Sequence, residues 1–278
     1  MPSIESLHTN GRKPQDSESH PSAPSPRLHP EAGEIAAAYD ALSTEYDSQL
    51  RPSFGIRAQL WQRMDDLFPP GCFVLDVTAG TGLDTQHLIE RGVQMIACDL
   101  SPQMLAQLQL KVPGVETRIL DFNQLDGENF GRPLDGIIST FAGLNTSSDL
   151  RSFGQAAARL LRRDGVLFIH LLNRWPAREI AGSLLHLKWR EAAYRLTHAD
   201  RMVNLAGLTV PHTLYSPLAL YRHVFAPFFR LQRAEAQGLF SELRATNGSR
   251  MHTSERMLDG YFPFHSLGTF FSLEMIRR

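Results

Sequence analysis

Cysteine is scarce in this chain of 278 residues: there are two, Cys72 and Cys98. Both fall in apolar runs that read as buried strands, which excludes a disulfide framework and a cysteine-ligated metal centre and fits a reducing compartment. Long hydrophobic runs are missing as well. No stretch approaches the length of a membrane span, and the N-terminus lacks the apolar core of a signal peptide, so the expected location is cytoplasmic. Charge of one sign is absent too: 28 Lys and Arg stand against 29 Asp and Glu, a formal net charge of -1. Without a basic face, no nucleic-acid partner is expected, and a small molecule is the better expectation. No segment repeats with a period of about 20–50 residues, which excludes a solenoid. His8, His20 and His29 lack regular spacing, so no metal site is expected.

What is present is concentrated between Val74 and Ser101, in VLDVTAGTGLDTQHLIERGVQMIACDLS. The apolar run Cys72 to Val77 suits a buried parallel strand and breaks into the small-residue turn Thr78-Ala79-Gly80-Thr81-Gly82. A short amphipathic helix follows, with Asp84 or Thr85 expected as its cap and Arg91-Gly92 as its end. A second strand, Val93 to Cys98, stops on Asp99. In this βαβ unit, Gly80 and Gly82 let backbone N–H groups and a helix N-terminus approach a ligand, while Asp99 can accept from vicinal ribose hydroxyls. A dinucleotide fingerprint read from Gly80 would need a third glycine where Thr85 stands, which counts against NAD and FAD.

VLDVTAGTG followed by ACDLSPQML resembles the first two cofactor motifs of the class I S-adenosylmethionine-dependent methyltransferases of small-molecule type. One departure is that Thr78 stands where the family has its first glycine, which narrows the room beside the methionine portion. The resemblance covers about Glu34 to Arg278 and implies the cofactor S-adenosyl-L-methionine. It further implies that Asp76 orients the glycine loop and approaches the methionine amine, that Thr78, Ala79, Gly80 and Gly82 form that loop, that Asp99 and Leu100 meet the ribose, and that Asp121 and Phe122 bracket adenine. Thr140 and Phe141, at the end of a fourth strand Leu134 to Thr140, face the sulfonium and the acceptor. Tyr46 is the candidate to reach the methionine end from a lid helix carrying AAYDALSTEYD, with Tyr39 second.

Around that unit, residues 1–33 read as a disordered tail and 34–278 as one methyltransferase domain. A helix runs through about Leu50, and a second spans Ile56 to Phe68. Ser101-Pro102 opens a helix to Lys111, and Thr117 to Leu120 is a third strand. A helix Leu150 to Arg163, capped by Ser147 or Ser148, leads to strand five, Val166 to Leu171. Residues 174–226 form an inserted substrate cap: a helix Ala177 to His198, a hairpin Met202–Leu205 and Leu208–Tyr215, and a helix from Pro217. Strand six, Phe228 to Phe240, a polar connection Glu242 to His265 and a last strand Leu267 to Ile276 complete the chain. The resemblance places that last strand, antiparallel, between strands five and six.

The fold expected is therefore α/β, a doubly wound seven-stranded and mostly parallel sheet with a cap between strands five and six. The function expected is methyl transfer from S-adenosylmethionine to an oxygen, nitrogen or carbon of a small apolar or aromatic molecule. Methylation of a protein or RNA, and a non-catalytic cofactor-binding protein, are the alternatives; the missing Asn/Asp-Pro-Pro turn at Ser139-Thr140-Phe141-Ala142 speaks against the first. Because alignment of two bound reactants can supply about 7–11 kcal/mol, no base is obligatory. If the acceptor is a hydroxyl, His170 is the first candidate base and His212 the second.

Overall fold

The computed structural model describes residues 30–50, 54–147, 149–205, 208–238 and 267–278. The histidines of the tail, Ser148, Ala206-Gly207 and the connection 242–265 lie outside the described residues. Helix α1 (Pro30–Leu42) and the single turn α2 (Tyr46–Leu50) precede α3 (Phe54–Leu67). Strands β1 (Phe73–Asp76), β2 (Gln94–Asp99), β3 (Glu116–Ile119) and β4 (Leu134–Ser139) alternate with α4 (Leu83–Glu90), α5 (Pro102–Lys111) and a 3-10 turn at Phe122–Gly127. Helix α6 (Arg151–Leu160), β5 (Leu161–Leu172), α7 (Ala177–Leu185), α8 (Trp189–Thr197), β6 (Asp200–Leu205), β7 (Leu208–Thr213) and α9 (Pro217–Leu220) follow. Strands β8 (Phe229–Gln237) and β9 (Phe270–Arg277) end the chain.

The seven-stranded sheet runs β3-β2-β1-β4-β5-β9-β8. β9 alone is reversed, pairing antiparallel with β5 and β8, as the family resemblance implies. Alternation along each strand feeds two cores. Val74, Ile138 and Phe168 face Leu60, Met64 and Phe68 of α3 and its end, while Leu75, Ile137, Leu167 and Ile169 face Phe153 and Ala157 of α6. Strand order reverses between β1 and β4, which opens a crevice at the carboxyl ends of the strands.

Several local expectations need correction. No side chain caps α4, whose N-cap is Gly82; Asp84 and Thr85 lie in its first turn with their side chains turned inward. Helix α6 stops at Leu160, not Arg163, because Leu161 already pairs with Leu134 of β4 and Asp164 adopts φ 58° in the turn. At its start Ser147 bonds Asn123, and it is Asp149 Oδ1 that accepts the Arg151 N–H. The helix drawn from Ala177 to His198 is two, parted at Leu187 with φ 57°. There the Lys188 N–H donates to the Ser183 carbonyl and the Leu187 N–H to that of Leu184, closing the end of α7. That break turns Leu185 and Trp189 outward, 82% and 61% exposed, so they contribute no lining to a substrate cavity. The hairpin β6–β7 forms as expected and packs on α1.

Candidate active site

The crevice holds a cavity of about 430 Å³. Its floor comes from the ends of four strands: Val77, Thr78 and Gly80 after β1, Asp99 and Leu100 at β2, Asp121 and Phe122 after β3, and Thr140, Phe141 and Gly143 after β4. Ile35 and Tyr39 of α1 and Tyr46 of α2 line its outer side.

Asp99 is fixed by the backbone on both oxygens. The Gly80 N–H donates to Oδ2 at 2.8 Å and the Ser101 N–H to Oδ1 at 2.9 Å. Burial pushes its pKa up, opposed by the same amide bonds. Gly80 sits at φ 53°, and a Cβ there would lie 3.7 Å from Tyr46 Cε1, so the missing side chain keeps the floor open beneath the tyrosine. Asp121 uses one oxygen internally, Oδ1 taking both the Asn123 N–H and its side-chain amide at 2.8 Å. Its Oδ2 makes no hydrogen bond with the described residues.

Thr78 fits through two neighbours. Its Oγ1 lies 2.7 Å from Ser139 Oγ, and a Cβ on Gly143 would come within 2.5 Å of Thr78 Cβ. The methyl and hydroxyl of Thr78 therefore occupy room that Gly143 leaves across the crevice.

Other predicted residues stand behind the wall. Asp76 is buried, accepting the Thr85 hydroxyl at 3.0 Å and the Thr78 N–H at 3.3 Å; burial, with Asp84 adding to it, raises its pKa to about 8. It organises the glycine loop from below. The Ala79 N–H ties that loop to the Cys98 carbonyl. Gly82, at φ 84°, lets α4 start against α5, since a Cβ would meet Leu108 Cγ at 2.4 Å.

Both candidate bases are displaced from the cavity. His170 is fully buried, with its ring between Phe141 and Phe270. Its Nδ1 accepts the Phe141 N–H at 3.2 Å and its carbonyl accepts the Ala142 N–H at 3.1 Å. Burial, helped by the nearby Arg57 charge, lowers its pKa to about 3, so it is a neutral acceptor holding a turn. Phe141 and Ala142 need that hold, since both have positive φ, 49° and 68°, a conformation that costs non-glycine residues about 1–2 kcal/mol each. His212 is buried on β7 with Nδ1 facing its own strand's Val210 carbonyl, and burial lowers its pKa.

Four side chains that sequence reasoning did not assign to the site shape it. Asp84 accepts from Trp61 Nε1 at 2.6 Å, from Thr140 Oγ1 at 2.5 Å and from Arg57 Nη1 at 2.5 Å. Burial alone would raise its pKa, but Arg57 and these bonds outweigh that and hold it low. Arg57 lies 4.0 Å over the Phe141 ring, so the buried pair supports both residues that follow β4. On the outer side, Asp40 Oδ1 accepts from Ser101 Oγ at 2.5 Å and from the Gln103 N–H at 3.0 Å. Asp47 bonds Thr81 Oγ1 and Lys111 Nζ. These two carboxylates fasten the α1–α2 segment over the glycine loop, with burial raising the pKa of Tyr46 to about 12. An Asp–Tyr periodicity along α1–α2 was the available signal; what it would fasten to was invisible in sequence.

This sheet order, the glycine loop and the acid at the end of β2 define the Rossmann-like class of methyltransferase folds. Residues 74–165 match the family described as a methyltransferase domain. Over 115 residues it is 34% identical to a ubiquinone biosynthesis O-methyltransferase of Xanthomonas axonopodis pv. citri, covering 40% of this chain and 47% of the relative. A demethylmenaquinone methyltransferase of Corynebacterium kroppenstedtii is 32% identical over 133 residues, 46% of this chain and 52% of the relative. The matched stretches thus span about half the length of those relatives. Among solved structures, the DhpI-SAM-HEP complex superposes with TM-score 0.59 at 16% identity, over 89% of this chain and 98% of that one. A mycolic acid cyclopropane synthase complexed with SAH and CTAB gives TM-score 0.57 at 19% identity, over 90% and 99%. At these identities the structural likeness speaks for the fold.

Proposed function

We propose that the protein binds S-adenosylmethionine in the crevice and catalyses transfer of its methyl group to a small, aromatic acceptor. The observation that carries this reading is Asp99, locked by the Gly80 and Ser101 amides at the end of β2 and presented to a cavity it shares with Asp121. The residues fit that cofactor: a carboxylate for two ribose hydroxyls, the spare oxygen of Asp121 for an exocyclic amine, Phe122 beside a ring, and an open floor at Gly80 under Tyr46. When bound, the cofactor supplies an electrophilic methyl on a sulfonium, so the chain need only position and desolvate the reactants.

In this reading Asp76 and Asp84 stiffen the two loops, Tyr46 and Phe141 close the reacting end, and α1–α2 excludes water. Neither His170 nor His212 reaches the cavity wall, so a general base is not part of the proposal. The aromatic lining by Tyr39, Tyr46, Phe122 and Phe141, with the quinone-pathway names of the relatives, supports an aromatic acceptor. Residues 174–226 are proposed as the cap over it. Among the described residues no helix is long and apolar enough to cross a membrane.

The test is calorimetric titration of the protein with S-adenosylmethionine, S-adenosylhomocysteine and NADH in parallel. Binding of both adenosyl compounds and not NADH is the expected result. Binding of NADH alone, or of none, overturns the reading.

A further inference from the structure

Under the cap lies a second, smaller cavity of about 110 Å³, with room for a single ring or a headgroup. It is built where β5 ends and the cap begins, from Leu172, Arg174, Glu179, Asp200, Arg201 and Leu214 among others. Arg174 is half-buried and makes no side-chain hydrogen bond or ion pair with the described residues; its guanidinium stacks at 5.1 Å on Trp175, and its Nε is buried without a partner. The other guanidinium in the cavity, Arg201, is faced by Glu179 at 3.7 Å. Elsewhere each arginine classed as buried or half-buried has a carboxylate or carbonyl partner: Arg57 with Asp84, Arg63 with Glu274, Arg118 with Glu116 and Arg277 with the Leu161 carbonyl.

A buried Nε without an acceptor is costly, and the planar fork of Arg174 matches a carboxylate. The backbone holds it in place: the Arg174 N–H donates to the Tyr215 carbonyl at 3.0 Å, and Asn173 bridges to Tyr215. A hydrogen-bonded turn joins the walls of the two cavities. Asn145, in the turn 143–146 that lines the crevice with Gly143 and Thr146, donates to the Leu172 carbonyl at 3.3 Å and to that of Thr213 at 2.6 Å. Leu172 and the neighbour of Thr213, Leu214, are walls of the smaller cavity.

We infer that the cavity beneath the cap is a binding subsite for a carboxylate on a one-ring molecule, with Arg174 as its anchor. Resting on the methyltransferase reading above, the molecule is the methyl acceptor, which would then carry an acidic group as well as a ring.

Benzoate is the probe, titrated by calorimetry or ligand-observed NMR, with benzamide as the uncharged isostere. Benzoate should bind, benzamide about tenfold or more weaker, and Arg174→Gln should weaken benzoate about tenfold or more while leaving S-adenosylhomocysteine affinity unchanged. Benzoate binding should persist when S-adenosylhomocysteine is saturating. Equal binding of benzoate and benzamide, no loss in Arg174→Gln, or displacement of benzoate by S-adenosylhomocysteine overturns the subsite. Absence of S-adenosylhomocysteine binding would instead refute the methyltransferase reading, and the benzoate comparison would still decide on the cavity.

Discussion

His170 shows how one residue type can serve a site without touching it. Its place at the end of β5 suggests a base, yet burial keeps the ring neutral and its Nδ1 holds the Phe141 amide. The folded pKa of about 3 lies below the ordinary 6.5, so the unfolded chain takes up the proton first as pH falls. Stability from this group is therefore intact above about pH 6.5 and lost progressively toward pH 3. Asp76 acts in the opposite sense, since its pKa of about 8 makes the folded state the better proton binder above the ordinary carboxylate range. Urea unfolding of wild type and His170→Leu at several pH values isolates the histidine: the stability difference should change by up to about 1.4 kcal/mol per pH unit below 6.5. Equal pH slopes in the two proteins would show that His170 is not buried neutral. At Asp99 the expectation concerns ligand: Asp99→Ala should weaken S-adenosylhomocysteine binding by about 1.5–3 kcal/mol through loss of charge-assisted hydrogen bonds, measured by calorimetry.

At the scale of elements, the glycine loop, the turn after β4 and the α1–α2 segment depend on one another. Thr78 narrows the loop, and the compensating space lies at Gly143. Gly143→Ala should therefore drive Thr78 aside and reduce S-adenosylhomocysteine affinity, and Thr78→Gly in the same chain should restore most of it. A double-mutant cycle with no coupling between the two positions would separate them. The α1–α2 segment is held by Asp40 at the start of α5 and by Asp47 on Thr81 and Lys111. Asp40→Ala removes an external cap from α5, an effect of about 1 kcal/mol. Faster amide exchange across 30–50 and faster S-adenosylhomocysteine release are the expected readouts, with little change in the exchange of β1 and β4. Cap boundaries were less legible than strands, because a strand announces itself by an apolar run, whereas the break at Leu187 depends on backbone bonds to Ser183 and Leu184.

The molecule as a whole is closed by contacts between distant parts of the sequence. Glu274 of β9, almost wholly buried, takes a forked pair from Arg63 of α3, Nε to Oε1 and Nη2 to Oε2, each at 2.8 Å. Arg63→Ala would strand the carboxylate, and after allowing for water that reaches the arginine the loss should be about 2–3 kcal/mol in urea unfolding. A loss below about 0.5 kcal/mol would mean the pair is in effect a surface one. The sequence alone determined the βαβ unit and the acids at the end of β2 and after β3, because strand periodicity and glycine spacing are local signals written within a few residues, whereas the seven-strand order followed from the family resemblance. Tertiary structure alone decided which of those residues face the crevice. Whether a histidine at a strand end meets ligand or core, which carboxylate latches α1–α2, and which arginine is left without a partner depend on packing between segments tens to hundreds of residues apart. Burial then sets their charge, and no local pattern encodes it.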